Sequence, residues 1–165
     1  MYTCYLAGFI NGLKIKECTD WRFKIREYFA LKDWDVNILC PLNGKELNTI
    51  TADGLKSCVP PKAIFARDYD AVAKSDLIIA NLNTFGVNRT PTGTLSEIVL
   101  AWTMKKPIIV ITDDKNYIEH PFMQEFVDWF VPDVDTLLNE KVLNYFYAGV
   151  HSAKYTRDEV KGDIK

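Results

Sequence analysis

Residues 76–82 read Asp76-Leu77-Ile78-Ile79-Ala80-Asn81-Leu82, an apolar run closed by polar residues at either end. A strand with one wet face alternates apolar and polar side chains, whereas one covered on both faces is apolar throughout. The run is too short for a typical helix and rich in β-branched isoleucine, so it reads as a buried strand of a parallel sheet. Before it, Pro61 predicts the first turn of a helix that runs to Ser75. After it come a polar loop, Asn83 to Pro91, a helix from about Thr94 to Lys105, and a second buried strand, Pro107 to Thr112.

The alternation extends to the N-terminus. Tyr2 to Phe9 is a compact apolar run ending on Ala7-Gly8, Thr19 is a plausible cap for a helix through about Lys32, and Val36 to Cys40 is a short strand stopped by Pro41. The nineteen residues from Leu42 to Pro60 show no clear period and predict a lid or an ordered surface loop. Further on, helices are expected at Phe122 to Val127 and Asp135 to Tyr147, with a short strand at Trp129 to Val131 between them. Strands alternating with helices predict an α/β fold: one doubly wound, Rossmann- or flavodoxin-like sheet of about five mostly parallel strands with helices on both faces. The domain is expected over 1–150, with a polar tail over 151–165.

Composition narrows the function classes. The 165 residues are 48% hydrophobic and 25% charged, an ordinary globular balance. A net charge of −2 and basic residues scattered singly or in pairs give no electrostatic footprint for nucleic acid or an anionic membrane. No apolar run approaches the ~20 residues of a membrane span, and the N-terminus lacks the basic start of a signal peptide. A cytoplasmic protein is expected, with Cys4, Cys18, Cys40 and Cys58 as reduced thiols. Neither metal-ligand spacing nor a dinucleotide-binding glycine fingerprint is present, so no metal and no organic cofactor is expected.

Ligands of an open parallel sheet bind beyond the carboxyl ends of its strands, where helix N-termini point. Three candidate groups follow. In Thr92-Gly93-Thr94-Leu95-Ser96-Glu97 the glycine allows close backbone approach, and Glu97 lies where a helix start favours an ionised carboxylate. Thr94-x-x-Glu97 also matches a capping box, in which the glutamate only bonds back to its own helix. Asp68 falls in phase with Ile64, Phe65 and Val72 on the sheet-facing stripe of its helix, whereas Asp70 lies off it, near Arg67 and Lys74. A carboxylate on a buried face needs partners or a function, and capping a nearby loop is the structural alternative. Gly8, Phe9 and Asn11, in the loop closed by Gly12, could cradle an anion or form a plain turn. Asn81 and Asn83 could bond a sugar hydroxyl or close their own turn. Lys14, Lys16 and Arg89 are candidate phosphate partners or solvated cations, and His120 before Pro121 reads as a helix-start residue.

These pieces resemble the nucleoside 2-deoxyribosyltransferase superfamily. Tyr5-Leu6-Ala7-Gly8 is similar to its opening Y-x-A-G, and Asp68 with Ser75-Asp76 to its helix-to-strand signature. Pro91-Thr92-Gly93-Thr94-Leu95-Ser96-Glu97 is similar to its G-T-x-x-E block, which cytokinin-activating phosphoribohydrolases share, and Lys106-Pro107-Ile108-Ile109 to the strand that follows. The resemblance implies a base-exchanging transferase or an N-glycosidase acting on a nucleoside or its 5′-monophosphate. Glu97 would attack the anomeric carbon and Asp68 would lie close to the site; Gly8, Phe9, Asn11, Asn81, Gly93 and Thr94, by their place beyond the strand ends, are the candidate substrate contacts. It also implies a homodimer or higher homo-oligomer. Three positions depart from the pattern: Phe9 stands where proline is usual, Pro91 where the transferases tend to carry a base-contacting aspartate, and Val99 where a glycine is usual. An inactive nucleotide-binding module of the same fold is the alternative, for which Pro91 and Val99 would be symptoms.

Overall fold

The computed structural model describes residues 1–44, 48–51, 54–57, 59–140 and 142–148. Its centre is a five-stranded, all-parallel sheet of order β2-β1-β5-β6-β7. The strands are β1 (Tyr2–Gly8), β2 (Val36–Leu39), β5 (Leu77–Asn81), β6 (Ile108–Ile111) and β7 (Trp129–Val131). All five expected strands are present. Every residue of β5 is buried, as an apolar run between two helical layers requires.

Side chains leave a strand to alternate faces, and this period of two divides the core. Cys4, Leu6, Leu77, Ile79, Ile109 and Ile111 point to one side, against Trp21, Ile25 and Phe29 of α1 (Ile15–Leu31). The same side is covered by α6 (Val134–Asn139) and α7 (Val142–Ala148). Tyr5, Ala7, Ile78, Ala80, Ile108 and Val110 point to the other. There they meet α2 (Pro61–Lys74), α3 (Thr92–Thr103) and α5 (Pro121–Phe126). Each fully buried aliphatic chain contributes roughly 1.5–3 kcal/mol, so the central strands anchor the domain. The chain winds from β1 toward β2 and later back across β1 toward β7. Right-handed crossovers in opposite directions put helices on opposite faces, with the switch point between β1 and β5.

Two aspartates set strand register. Asp76, just before β5, accepts the Thr3 N–H at 2.8 Å, and Asp128, just before β7, accepts the Ile108 N–H at 2.8 Å.

Several local expectations are corrected. The stretch 42–60, expected as a lid or an ordered surface loop, contains an antiparallel hairpin, β3 (Asn48–Thr51) and β4 (Gly54–Ser57). Its signal was short: Thr49-Ile50-Thr51, then Asp53-Gly54. Helix α1 begins at Ile15, so Thr19 is inside it, where its hydroxyl bonds back to the Ile15 carbonyl at 2.9 Å. The closing helix is two pieces, α6 and α7, and a short helix, α4 (Lys115–Ile118), capped by Asp114, was not expected. Cys4, Cys18 and Cys40 are free thiols; Cys58 and the tail 151–165 lie outside the described residues. Among the described residues, no helix is long and apolar enough to cross a membrane.

Candidate active site

The parity of β1 decides what each of its side chains can reach. Tyr5 points into the α2–α3 layer, and its O–H donates to Glu97 Oε1 at 2.6 Å, a short charge-assisted bond. Burial above all, then the charges of Glu97 and Asp68, pushes the Tyr5 phenol far above its ordinary value. It therefore stays protonated and donating through the neutral range.

Helix α3 starts earlier than the capping-box reading requires. Pro91 is the N-cap and Thr92 the first helical residue, so Thr94 sits inside the first turn, buried, and Glu97 falls in the second turn. The N-cap residue, Pro91, makes no side-chain cap hydrogen bond. Glu97 is half-buried and turned to the neighbouring strand. Gly93 is exposed with nothing within 4 Å of where a Cβ would stand. Val99 is 41% exposed, on the outer side of α3.

Asp68 faces inward as its phase predicts, with a side chain only 16% exposed. Arg67 donates to Asp68 Oδ1 through Nη2 at 2.8 Å and Nε at 3.1 Å, and reaches the Pro41 and Asn43 carbonyls at 2.9 and 3.3 Å. The pair thus ties α2 to the segment after β2. Phe65, expected on the same stripe, is 58% exposed and packs on Tyr69 instead. Asp70 is an exposed partner of Lys74 at 2.6 Å, but Arg67 belongs to Asp68 rather than to Asp70.

On the opposite face, Gly8 meets Arg22. The Arg22 guanidinium is buried, with Nη2 donating to the Gly8 carbonyl at 3.2 Å and Nη1 to the Cys18 carbonyl, while Nε has no hydrogen-bond partner among the described residues. A Cβ on Gly8 would stand 2.8 Å from the Trp21 ring and 3.1 Å from Arg22, so the glycine is required by close approach. Burial pulls the Arg22 guanidinium down from its ordinary value; the nearest opposing influences are Cys40, Cys18, Tyr5 and Glu97.

The loop after β1 is a turn. Leu13 N–H bonds the Ile10 carbonyl at 3.1 Å with Gly12 at φ 88°, and Asn11 is exposed at its tip. Phe9 does not present an open aromatic surface: it packs on Leu13 and Cys18, with the Arg89 guanidinium 5.6 Å above its ring. The asparagines close their own turn, Asn81 Oδ1 accepting from Asn83 N–H at 2.9 Å and Asn83 Oδ1 from Phe85 N–H at 2.7 Å. Lys14 and Lys16 are exposed, and His120 is the N-cap residue of α5. Among the described residues, no three His, Cys, Asp or Glu side chains are placed to hold a metal ion.

Tyr5, Glu97, Asp68 and Arg67 are thus brought together; Gly8 lies on the opposite face of β1 and Phe9 packs on Leu13 and Cys18 after the strand, while Asn11 and Asn81 serve turns. Tyr5, Arg67 and Arg22 were missed from sequence. Arg22 was findable, since it lies four residues after Cys18 and three before Ile25, the same phase argument that placed Asp68. Tyr5 has no signal of phase, because an aromatic residue in a buried strand reads as core; its place at the head of the Y-x-A-G motif is what could have marked it.

The all-parallel sheet, with two carboxylates and a buried phenol on one of its faces, is of the α/β class whose ligands bind beyond the strand ends. The profile of the nucleoside 2-deoxyribosyltransferase family matches residues 4–146, and the chain belongs to that family. Among solved structures it is similar to the 2-deoxyribosyltransferase of Leishmania mexicana, with 21% identity, TM-score 0.47, and coverage of 69% of this chain and 66% of that one. It is also similar to the CMP N-glycosidase of Clostridium botulinum, with 22% identity, TM-score 0.53, and coverage of 86% and 98%. A conserved protein of Enterococcus faecalis V583 shares 16% identity at TM-score 0.61, with coverage of 87% and 99%. The last two likenesses speak to the fold alone. No curated protein matches the chain by sequence.

Proposed function

We propose that this protein cleaves the N-glycosidic bond of a nucleoside or nucleoside 5′-monophosphate, with Glu97 as the attacking carboxylate. The observation that carries the reading is the 2.6 Å bond from Tyr5 to Glu97, which directs that glutamate to the sheet rather than to its own helix. A carboxylate held there can attack the anomeric carbon as the bond to the base nitrogen breaks. The bonding electron pair leaves with the base, and the oxocarbenium-like charge is balanced by Glu97. The departing base takes its proton from water, and Asp68, an ion-paired carboxylate whose charge acts on Tyr5, can orient that water. Arg67, bonded to Asp68 through two nitrogens, fixes where that carboxyl points.

The resulting glycosyl-enzyme ester serves transfer and hydrolysis alike, because a second base or a water can displace Glu97. Transfer is the reading we adopt, in line with the family, and no cofactor enters it. We place the enzyme in the cytoplasm and read it as a homo-oligomer, the latter supported by the exposed aromatic residues Phe122 of α5 and Trp102 of α3. The test is incubation with nucleosides and 5′-monophosphates, with and without an acceptor base, following free base and new nucleoside by chromatography. Base release that speeds up and yields a new nucleoside when acceptor is added supports transfer; equal release with and without acceptor reassigns the enzyme as a hydrolase. Binding with no release from any substrate would make this an inactive nucleotide-binding module.

A further inference from the structure

Arg22 is a buried cation that the reaction above does not use. It lies on the inward face of α1 between Cys18 and Ile25 and is only 3% exposed. A guanidinium keeps its proton even in an interior, so its charge has to be answered there. The Gly8 and Cys18 carbonyls accept from it, and the Trp21 ring lies 4.3 Å from its central carbon. Nε is buried without a hydrogen bond, and among the described residues no carboxylate forms an ion pair with the group. Carbonyls satisfy donors but carry no net charge. An aliphatic side chain would pack at this position without the penalty of a buried charge.

The place of that charge is specific. Gly8 is the last residue of β1 and stands opposite Asn81 of β5, at the switch point of the sheet. A Cβ on Gly8 would stand 3.1 Å from Nη2, so the glycine lets the guanidinium lie directly against the strand. Tyr5, three residues earlier, projects from the other face of the same strand to Glu97. Leu6 and Ala7, between them, are fully buried, so the space separating the cation from the Tyr5–Glu97 pair is filled by protein rather than by screening solvent.

Burial works hardest against the Arg22 charge, and the groups that favour it are Cys40, Cys18, Tyr5 and Glu97. Glu97 is the one carboxylate among them, and an attraction of this kind is mutual. Few other charges surround Glu97. Of the elements packed on α3, β5 and β6 carry no titratable residue, and β1 turns only Tyr5 to this side. On α5 Glu125 is exposed, and α2 brings Asp68, whose negative charge opposes a second carboxylate, with Arg67 already bonded to it. Arg89, in the loop before α3, is exposed and lies over Phe9. We propose that Arg22 is a positioning residue for the cleavage: from the far face of β1 its charge holds the Glu97 carboxylate ionised, and so ready to attack, at the acid end of the working range. The role rests on Glu97 being the nucleophile, as proposed above.

Carbon-13 labelling of the glutamate carboxyl groups reads the ionisation of Glu97 without turnover, its signal being the one lost in Glu97→Gln. A cation favours the charged form of a carboxyl group, so removing it raises the pH at which that group ionises. Arg22→Gln and Arg22→Met should therefore move the Glu97 midpoint up by about 0.5–1 pH unit, and the acid limb of kcat/KM for base release should move with it. Arg22→Lys keeps the charge and should leave both within about 0.3 unit of the wild type. A merely structural clamp predicts otherwise, because lysine and glutamine alike lose the two-pronged hold on Gly8 and Cys18. A midpoint unmoved in the neutral variants, equal shifts in the lysine and glutamine variants, or failure of both neutral variants to fold would overturn the proposal. The two readings fail separately. A shifted midpoint without base release keeps the influence of Arg22 and sinks cleavage, whereas base release with an unmoved midpoint keeps cleavage and sinks the role of Arg22.

Discussion

Helices α1 and α3 begin just past the carboxyl ends of the central strands β1 and β5, and each carries a glutamate near its start. Glu17 is the third residue of α1 and reaches back to the Lys14 N–H at 2.8 Å, so its charge is used by the helix that bears it. Glu97 is the sixth residue of α3 and reaches across to Tyr5, ninety-two positions away in the chain. The difference is one of phase. A glutamate at the third position stands over the orphan amides of the first turn. One turn later the same side chain has no amide to serve and falls between two elements of the tertiary structure. Two similar helix starts thus yield a cap and a site.

The comparison breaks most sharply at Glu97. Glutamine keeps an oxygen that can accept the Tyr5 O–H, so Glu97→Gln should fold with a stability change within about 1 kcal/mol. A neutral amide neither attacks the anomeric carbon nor balances its charge, so turnover should drop by roughly 10³-fold or more. Urea titration reads the first quantity and base release the second. Turnover near the wild-type rate on a verified substrate would leave Glu97 as an acceptor for Tyr5 and nothing more.

The next effect in size separates the two aspartates of α2. Asp68 is inward and held by Arg67, whereas Asp70 is 58% exposed and paired with Lys74. Asp68→Asn should lower turnover by about 10²-fold, the scale of losing a positioned group that assists proton transfer, while Asp70→Asn should stay within about twofold. Equal, mild effects would remove Asp68 from the chemistry.

Much of this was legible in advance for a physical reason. β5 and β6 are covered on both faces, so their composition alone marks them, and the parallel sheet follows from the helices between them. The inward phase of Asp68 was legible because a 3.6-residue period runs through the middle of α2. Phe65, one turn nearer the helix start, escapes that stripe. The start of α3 was misread because Thr94 looks like a cap, while the true boundary is Pro91, whose fixed φ of −76° suits a helix entry. The hairpin β3–β4 went unseen because four-residue polar strands carry almost no periodic signal. The contact between Tyr5 and Glu97 is a property of the folded sheet, since no local pattern joins two such distant residues.

The smallest expected effect sharpens the comparison from the other side. If Glu17 serves only its own helix, Glu17→Gln should be nearly silent, because the amide oxygen can still accept the Lys14 N–H. Glu17→Ala removes both that acceptor and the negative charge favoured at a helix start, and should cost about 0.5–1 kcal/mol. For a domain of this size that lowers the melting temperature by about 1–4 °C, which a thermal melt resolves. Turnover per folded molecule should be unchanged in both variants. Glutamine is therefore tolerated by the fold at 17 and at 97, and by the reaction only at 17. A loss of turnover in Glu17→Gln with an unchanged melting temperature would mean that the start of α1 also takes part in the site, and the division of the two glutamates into cap and nucleophile would fail.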